Sequence, residues 1–353
     1  MNSIITGTGS YIPDVVKKND DFLENTFYSE KNDRLTDPNP SIIEKFQSIT
    51  GIEERRYLKS TLLNSEIAAL ASHRAIEAAN IDPEEIDHII FAHNFGDMDA
   101  NGKQSDMLPS LASKVKNLLR IKNPDCVAYD IVFGCPGWVQ GMIQADQYIQ
   151  SGMSKKCLVI GSETLSRVID PHDRDSMIYS DGAGACILEK GENEKKGILS
   201  YACQTYTFEE SNYIFFGESN KTEETEDTLY LKMHGRKIYE FALNKVPLAM
   251  KKALDESGLG IDKIKKILIH QANEKMDEAI IKRFYRLYKN QVPEGIMPMS
   301  INKLGNSSVA TVPTLLDLIL NDNLEKHKIV KGDAIILASV GAGMNINAIV
   351  YQY

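Results

Sequence analysis

The chain has 353 residues, 42% of them hydrophobic and 25% charged, with a formal net charge of −9. Such a length predicts two domains or one large α/β unit, and the lack of any run of about 18 apolar residues speaks against a transmembrane helix. The acidic balance argues against general nucleic-acid binding, and five scattered cysteines without a CxxC pair suit a reducing compartment, the cytoplasm.

The opening residues, MNSIITGTGSYIP, lack the basic flank and long apolar core of a secretory signal and predict a strand running into a turn. Residues 67–95, IAALASHRAIEAANIDPEEIDHIIFAHNF, predict an amphipathic helix, a break and an apolar strand that ends at a histidine. A further strand, CVAYDIVFG, runs directly into CPGWVQGMIQADQYIQSG, where Trp138, Met142, Ala145 and Ile149 recur at helical spacing. CLVIGSE (157–163) and GACILEK (184–190) are strands that close a first half. The charged stretch KGENEKKG places a boundary near residue 192, dividing the chain into 1–192 and 193–353. After the strand GILSYACQTY (197–206), residues 207–230 are polar and turn-rich and predict a loop excursion, as does SEKNDRLTDPNPS near residue 35. Residues 247–273, PLAMKKALDESGLGIDKIKKILIHQAN, then echo 67–95, with I-D-x-I before each strand. AIILASVG (334–341) and NAIVYQY (347–353) end the second half. Two similar units predict a duplicated α/β fold with sheets covered on both faces.

Three residues stand where chemistry is possible. Cys135 falls at a strand-to-helix elbow, where unpaired N–H groups and the positive end of a helix favour a thiolate and hold an oxyanion. His270 ends an apolar strand, able to face a pocket, and Asn306 sits in the turn LGNSS before a helix that begins with small residues. Taken singly, each reads as a packed thiol, a satisfied core histidine or a turn residue. Taken together, they occur at strand ends and turns in an order that suits one constellation. The remaining cysteines, Cys126, Cys157, Cys186 and Cys203, read as core packing, His93 as structural and His172 as a loop residue; no spacing resembles a metal site.

Seven segments in order, TGIEERRYL, VIGSETLSRVIDPHDRDS, YSDGAGACIL, LKMHGRKIYEFAL, IHQAN, LGNSSVATVP and VGAGMNINAIVY, make the chain resemble the β-ketoacyl-acyl-carrier-protein synthase III family of thiolase-like condensing enzymes. The resemblance implies a thiolase-like, duplicated α-β-α-β-α layered fold with two five-stranded mixed sheets. It implies a catalytic set of Cys135, His270 and Asn306. By that resemblance, Cys135 would take an acyl group from acyl-CoA or an acyl-carrier thioester, and its N–H would form an oxyanion hole with that of Ala342. The same resemblance implies that His270 and Asn306 donate to the enolate formed when malonyl-acyl carrier protein loses carbon dioxide, the initiating step of fatty-acid synthesis. The resemblance further implies substrate contacts at Arg167, Leu108 and Asn273, a carrier-docking face at Lys275, Lys282 and Arg283, a homodimer, and no cofactor beyond the substrates. Composition and charge, as above, predict neither a membrane nor a nucleic-acid partner.

The chain departs from that pattern in places. Lys45 replaces the tryptophan that stacks on coenzyme A, Ile49 replaces a second basic residue, and the loop 94–109 is long. These departures favour a carrier-bound donor or a longer acyl-CoA. They also leave open a specialised-metabolism ketosynthase or acyltransferase using an unusual thioester. A non-catalytic binding partner is the third reading, which the intact Cys135, His270 and Asn306 disfavour.

Overall fold

The structure, a computed structural model, describes residues 2–100, 104–192, 196–221 and 228–353. In chain order the strands of the first half are β1 (Ser3–Tyr11), β2 (Val15–Lys18), β3 (Glu54–Tyr57), β4 (His88–Ala92), β5 (Val127–Ile131), β6 (Lys156–Thr164) and β7 (Asp181–Lys190), with β2 and β3 paired apart from the others. They are followed by β8 (Gly197–Thr205), β9 (Ile214–Gly217), β10 (Tyr230–Met233), β11 (Ile264–Ile269), β12 (Ala334–Gly341) and β13 (Asn345–Gln352). The helices are α1 (Asn39–Thr50), α2 (Asn64–Ala79), α3 (Leu111–Leu118), α4 (Gly137–Gln150), α5 (Gly235–Ser257), α6 (Glu274–Leu287), α7 (Ile301–Leu304) and α8 (Thr311–Leu320).

The sequence echo becomes a structural one. The first sheet has the order β1-β7-β6-β4-β5, and the second β8-β13-β12-β11. In both, the first two pairings are antiparallel and the third is parallel. A short 3-10 turn precedes the matching strands β4 and β11, at Pro83–Glu85 and Ile261–Lys263.

The second sheet has four strands among the described residues where five were expected. The place beside β11 is taken by an irregular segment, tied by the Ile267 N–H to the Ile296 carbonyl at 2.8 Å. Pro293 and Pro298 bracket that contact, and neither has an N–H to give to a ladder. The excursion at 207–230 also differs from expectation. It carries β9, which pairs antiparallel with β10 as the chain leaves the excursion at Tyr230, with 222–227 outside the described residues. The expected boundary near residue 192 abuts residues 193–195, which likewise lie outside them.

Helices α4 and α8 lie between the two sheets. Val139, Met142, Leu315 and Ile319 share one core with Val159 and Leu188 of the first sheet and Ile335 and Ile349 of the second. A helix packed on both sides shows no polar stripe, and nearly all of TVPTLLDLIL is buried. Helices α2 and α3 cover the outer face of the first sheet, and α5 and α6 cover that of the second. The result is the expected five-layer arrangement.

Candidate active site

In parallel α/β sheets ligands lodge beyond the carboxyl ends of the strands, and here those ends carry the chemistry. Asn94 follows β4, Cys135 follows β5, Glu163 lies at the end of β6, His270 follows β11 and Ala342 follows β12. Cys135, His270, Asn306 and Ala342 line a single cavity of about 380 Å³. Its walls are mostly apolar, and Ile214, Phe215, Leu231 and Met233 of the β9–β10 hairpin form one of them.

Two glycines make the elbow possible. Gly134 adopts φ +67°, and a Cβ on it would lie 2.7 Å from the Ala342 nitrogen. A Cβ on Gly341 would lie 2.5 Å from the Cys135 nitrogen. Any larger residue would force the two turns apart. The nitrogens of Cys135 and Ala342 therefore flank one end of the cavity, and the Asn345 amide pins the turn by donating to the Ala342 carbonyl at 2.8 Å.

The thiol is not activated as the elbow suggested. Burial pushes it up to about 11, while the Ser308 hydroxyl at 3.2 Å and its own N–H pull the other way. The helix proper begins only at Gly137, with Pro136 as its cap, and desolvation outweighs its partial charge. Cys135 is a neutral thiol at rest. Its alkylation by iodoacetamide should climb about tenfold per pH unit from neutrality to about pH 10, in step with the thiolate fraction. A plateau near pH 8 in a rate–pH series would contradict this.

Burial lowers the His270 imidazole to about 4 against the opposing pull of the Ser308 backbone, so the ring is neutral at pH 7 and offers one N–H. Its own backbone N–H is held by the Ala338 carbonyl at 2.8 Å. Asn306 is fixed twice. Its backbone bridges to the chain around Tyr179, and its side-chain oxygen accepts the Ser308 N–H at 2.8 Å. With the oxygen engaged, the amide nitrogen is left to serve the cavity.

The other expected contacts fare unevenly. The Arg167 guanidinium is spent on the backbone carbonyls of Met98, Lys59 and Leu62, which leaves it little freedom to clamp a nucleotide. Asn273 caps α6 by accepting the Met276 N–H at 3.0 Å, a structural task. Leu108 is 88% exposed and lies outside the cavity lining. Lys275, Lys282 and Arg283 are exposed along α6; Lys282 faces Glu278 at 3.6 Å, and Arg283 donates to Leu243 and Asn244. Of the other cysteines, Cys126, Cys157 and Cys186 are buried as expected, but Cys203 is exposed. On edge strand β8 it points away from Ala202, which is buried. His93 is buried, pairing with Asp130 at 3.0 Å.

Sequence reasoning passed over Ser308, Asn94 and Glu163. Ser308 lies two residues after Asn306, and Glu163 was visible as a carboxylate inside the apolar run CLVIGSET, an anomaly for a strand buried on both faces. Among the described residues no group of three or more His, Cys, Asp or Glu side chains is placed to hold a metal ion, and no helix is long and apolar enough to cross a membrane.

Comparison with known proteins fits this geometry. The family model for 3-oxoacyl-[acyl-carrier-protein] synthase III matches residues 129–207, and the model for its C-terminal part matches 254–353. The β-ketoacyl-[acyl-carrier-protein] synthase III of Aliivibrio fischeri is 33% identical over 351 residues, covering 97% of each chain. The chain belongs to the β-ketoacyl-acyl-carrier-protein synthase III family. It is an acyltransferase of the condensing type. Synthase III 1 of Bacillus cereus is 30% identical over 354 residues, covering 100% of this chain and 99% of that one. The crystal structure of the synthase III from Aquifex aeolicus VF5 has a TM-score of 0.80 at 27% identity, covering 99% of this chain and 100% of that chain.

Proposed function

We propose that this family member transfers an acyl group from a thioester to Cys135 and condenses it with malonyl-acyl carrier protein, a priming reaction of cytoplasmic fatty-acid synthesis. The convergence of Cys135, His270 and Asn306 on one apolar cavity carries the reading. The half up to residue 192 supplies the nucleophile, and the half from 193 supplies the other two groups.

In the loading step the sulfur attacks the donor carbonyl, and the N–H groups of Cys135 and Ala342 hold the oxyanion. The thiol proton departs on the donor's sulfur, which suits a cysteine that is neutral at rest. Splitting the transfer through this covalent intermediate gives ping-pong kinetics. In the second step the malonyl carboxylate leaves as carbon dioxide. The enolate oxygen receives hydrogen bonds from the His270 N–H and the Asn306 amide, then its carbon attacks the acyl group and expels Cys135. The engaged Arg167 and the exposed Lys45 favour a carrier-bound donor or a longer acyl-CoA over acetyl-CoA. Incubation with a panel of acyl-CoA and acyl-carrier thioesters, read by intact mass, tests the reading. The donor that loads separates fatty-acid priming from a specialised pathway, and no adduct with any donor would overturn catalysis by this route.

Acyl carrier protein docks, in this reading, on α6. Lys275 adjoins Met276, which lines the cavity, and Lys282 lies two turns along the same face. Reversing both charges to Glu should raise KM for carrier-bound substrate about tenfold while leaving turnover on coenzyme A thioesters unchanged, and the effect should fade with salt. Equal losses on both substrate types would refute the docking face. The chain acts as a homodimer: the edge strand β5 and its surroundings expose Val127, Val132, Met107 and Leu108, an apolar margin of the kind a partner covers. Leu108 then reaches the partner's acyl pocket. A solution mass of one 39.5 kDa chain would refute it.

A further inference from the structure

Behind the cavity lies a carboxyl that the reaction above does not use. Glu163 is completely buried. One of its oxygens accepts the Asn94 amide at 2.5 Å, and the other has no hydrogen-bond partner. The Asn94 amide nitrogen has two hydrogens. The second points to the Ser308 hydroxyl oxygen at 3.3 Å, and that hydroxyl stands 3.2 Å from the Cys135 sulfur.

These contacts have a direction. The Glu163 oxygen fixes the Asn94 side chain with its nitrogen toward Ser308. Once the Ser308 oxygen accepts from Asn94, its own hydrogen is free to point only at the sulfur. A hydroxyl that must donate favours thiolate over thiol. We propose that Glu163 is a positioning residue for acyl transfer, setting the Ser308 hydroxyl as a hydrogen-bond donor to Cys135 through Asn94.

The charge on Glu163 matters as well. An ionised carboxylate there would leave a buried negative oxygen unpaired, and it would repel the sulfur anion as it forms. Burial holds the carboxyl well above the usual range, with Asp181 adding to the effect. A neutral acid therefore orients the relay without opposing the thiolate. The other titratable groups around the sulfur are Tyr179 and His270. Burial raises the Tyr179 phenol, and His270 is neutral. Neither supplies a compensating positive charge, so the Ser308 hydroxyl and the Cys135 N–H are the groups that ease ionisation.

The inference deepens the condensing reading but can be tested without any acyl substrate. The full chain is alkylated with iodoacetamide across a pH series, and Cys135 modification is read by peptide mass. Ser308→Ala, which removes the donor, should slow alkylation at a fixed pH by about tenfold to a hundredfold by shifting the profile to higher pH. Glu163→Ala should slow it in the same sense, whereas the neutral isostere Glu163→Gln should stay within about threefold of wild type. A general packing role for Glu163 would lower thermal stability without moving the pH profile. Superimposed profiles for wild type, Ser308→Ala and Glu163→Ala would overturn the relay, and so would a Glu163→Gln profile displaced as far as that of Glu163→Ala. Should Glu163→Ala fail to fold, Asn94→Ala, which breaks the same relay, takes its place, and a profile superimposed on that of wild type would overturn the proposal. Failure of acyl loading alongside the expected alkylation shifts would refute the proposed reaction and leave the relay standing.

Discussion

Cys135→Ala should abolish covalent acyl capture and lower condensation by about four orders of magnitude or more, the scale seen when a covalent nucleophile is removed. The fold should survive, because the change deletes one small side chain and strips the Ser308 hydroxyl of an acceptor, a loss of about 1 kcal/mol. The expectation is sharper than simple inactivity. His270 and Asn306 reach the cavity from the other half of the chain, and neither is hydrogen-bonded to the sulfur. Their donors should still stabilise the malonyl enolate, so the variant should release carbon dioxide without forming a ketoacyl product. Intact mass after incubation with the donor that loads wild type gives the first readout, and carbon dioxide release beside product formation gives the second. An adduct that persists in Cys135→Ala would move the nucleophile elsewhere and remove the basis of the proposed reaction.

Much of this was legible in the chain because it rests on local pattern. The paired helix–break–strand units at 67–95 and 247–273 became α2–β4 and α5–β11, since apolar periodicity is set within a few residues. The elbow at Cys135 was visible because Gly134 and Pro136 interrupt two regular elements. What failed depended on three-dimensional surroundings. The thiol looked activated while only its own helix was considered, and enclosure by both sheets reversed the sign. For Asn273 and Arg167, matched to substrate contacts, the structure adds hydrogen bonds to the α6 cap and to loop carbonyls that no local pattern announced. Among the described residues the second sheet has four strands, and Pro293 and Pro298, which have no N–H for a ladder, stand beside the place of a fifth. The chain Glu163–Asn94–Ser308–Cys135 joins residues separated by 69, 214 and 173 positions, and no spacing rule reaches that far.

Asn306→Asp should slow decarboxylation of the malonyl substrate by about a hundredfold to a thousandfold, the range for losing one donor to an oxyanion, while acyl loading of Cys135 changes little. The aspartate keeps an oxygen for the Ser308 N–H, now at 2.8 Å from the asparagine oxygen, so the turn before α8 should hold its shape. What changes is the group facing the cavity, from an N–H donor to an oxygen that repels the enolate. Asn306→Ala should give a similar rate loss but a less stable protein by about 1–3 kcal/mol, because the buried Ser308 N–H is then unpaired. The pair of variants thus separates chemistry from scaffolding. In the proposed reaction, loading draws on the N–H groups of Cys135 and Ala342 and not on the Asn306 amide. Adduct formation by rapid-quench mass spectrometry and carbon dioxide release under the same conditions measure the two steps apart. Equal losses in both steps would mean that Asn306 shapes the whole cavity, and its assignment to the enolate would fail. His270, neutral at pH 7, is the remaining donor, so activity left in Asn306→Asp should be flat from about pH 6 to pH 8, where the ring gains no proton.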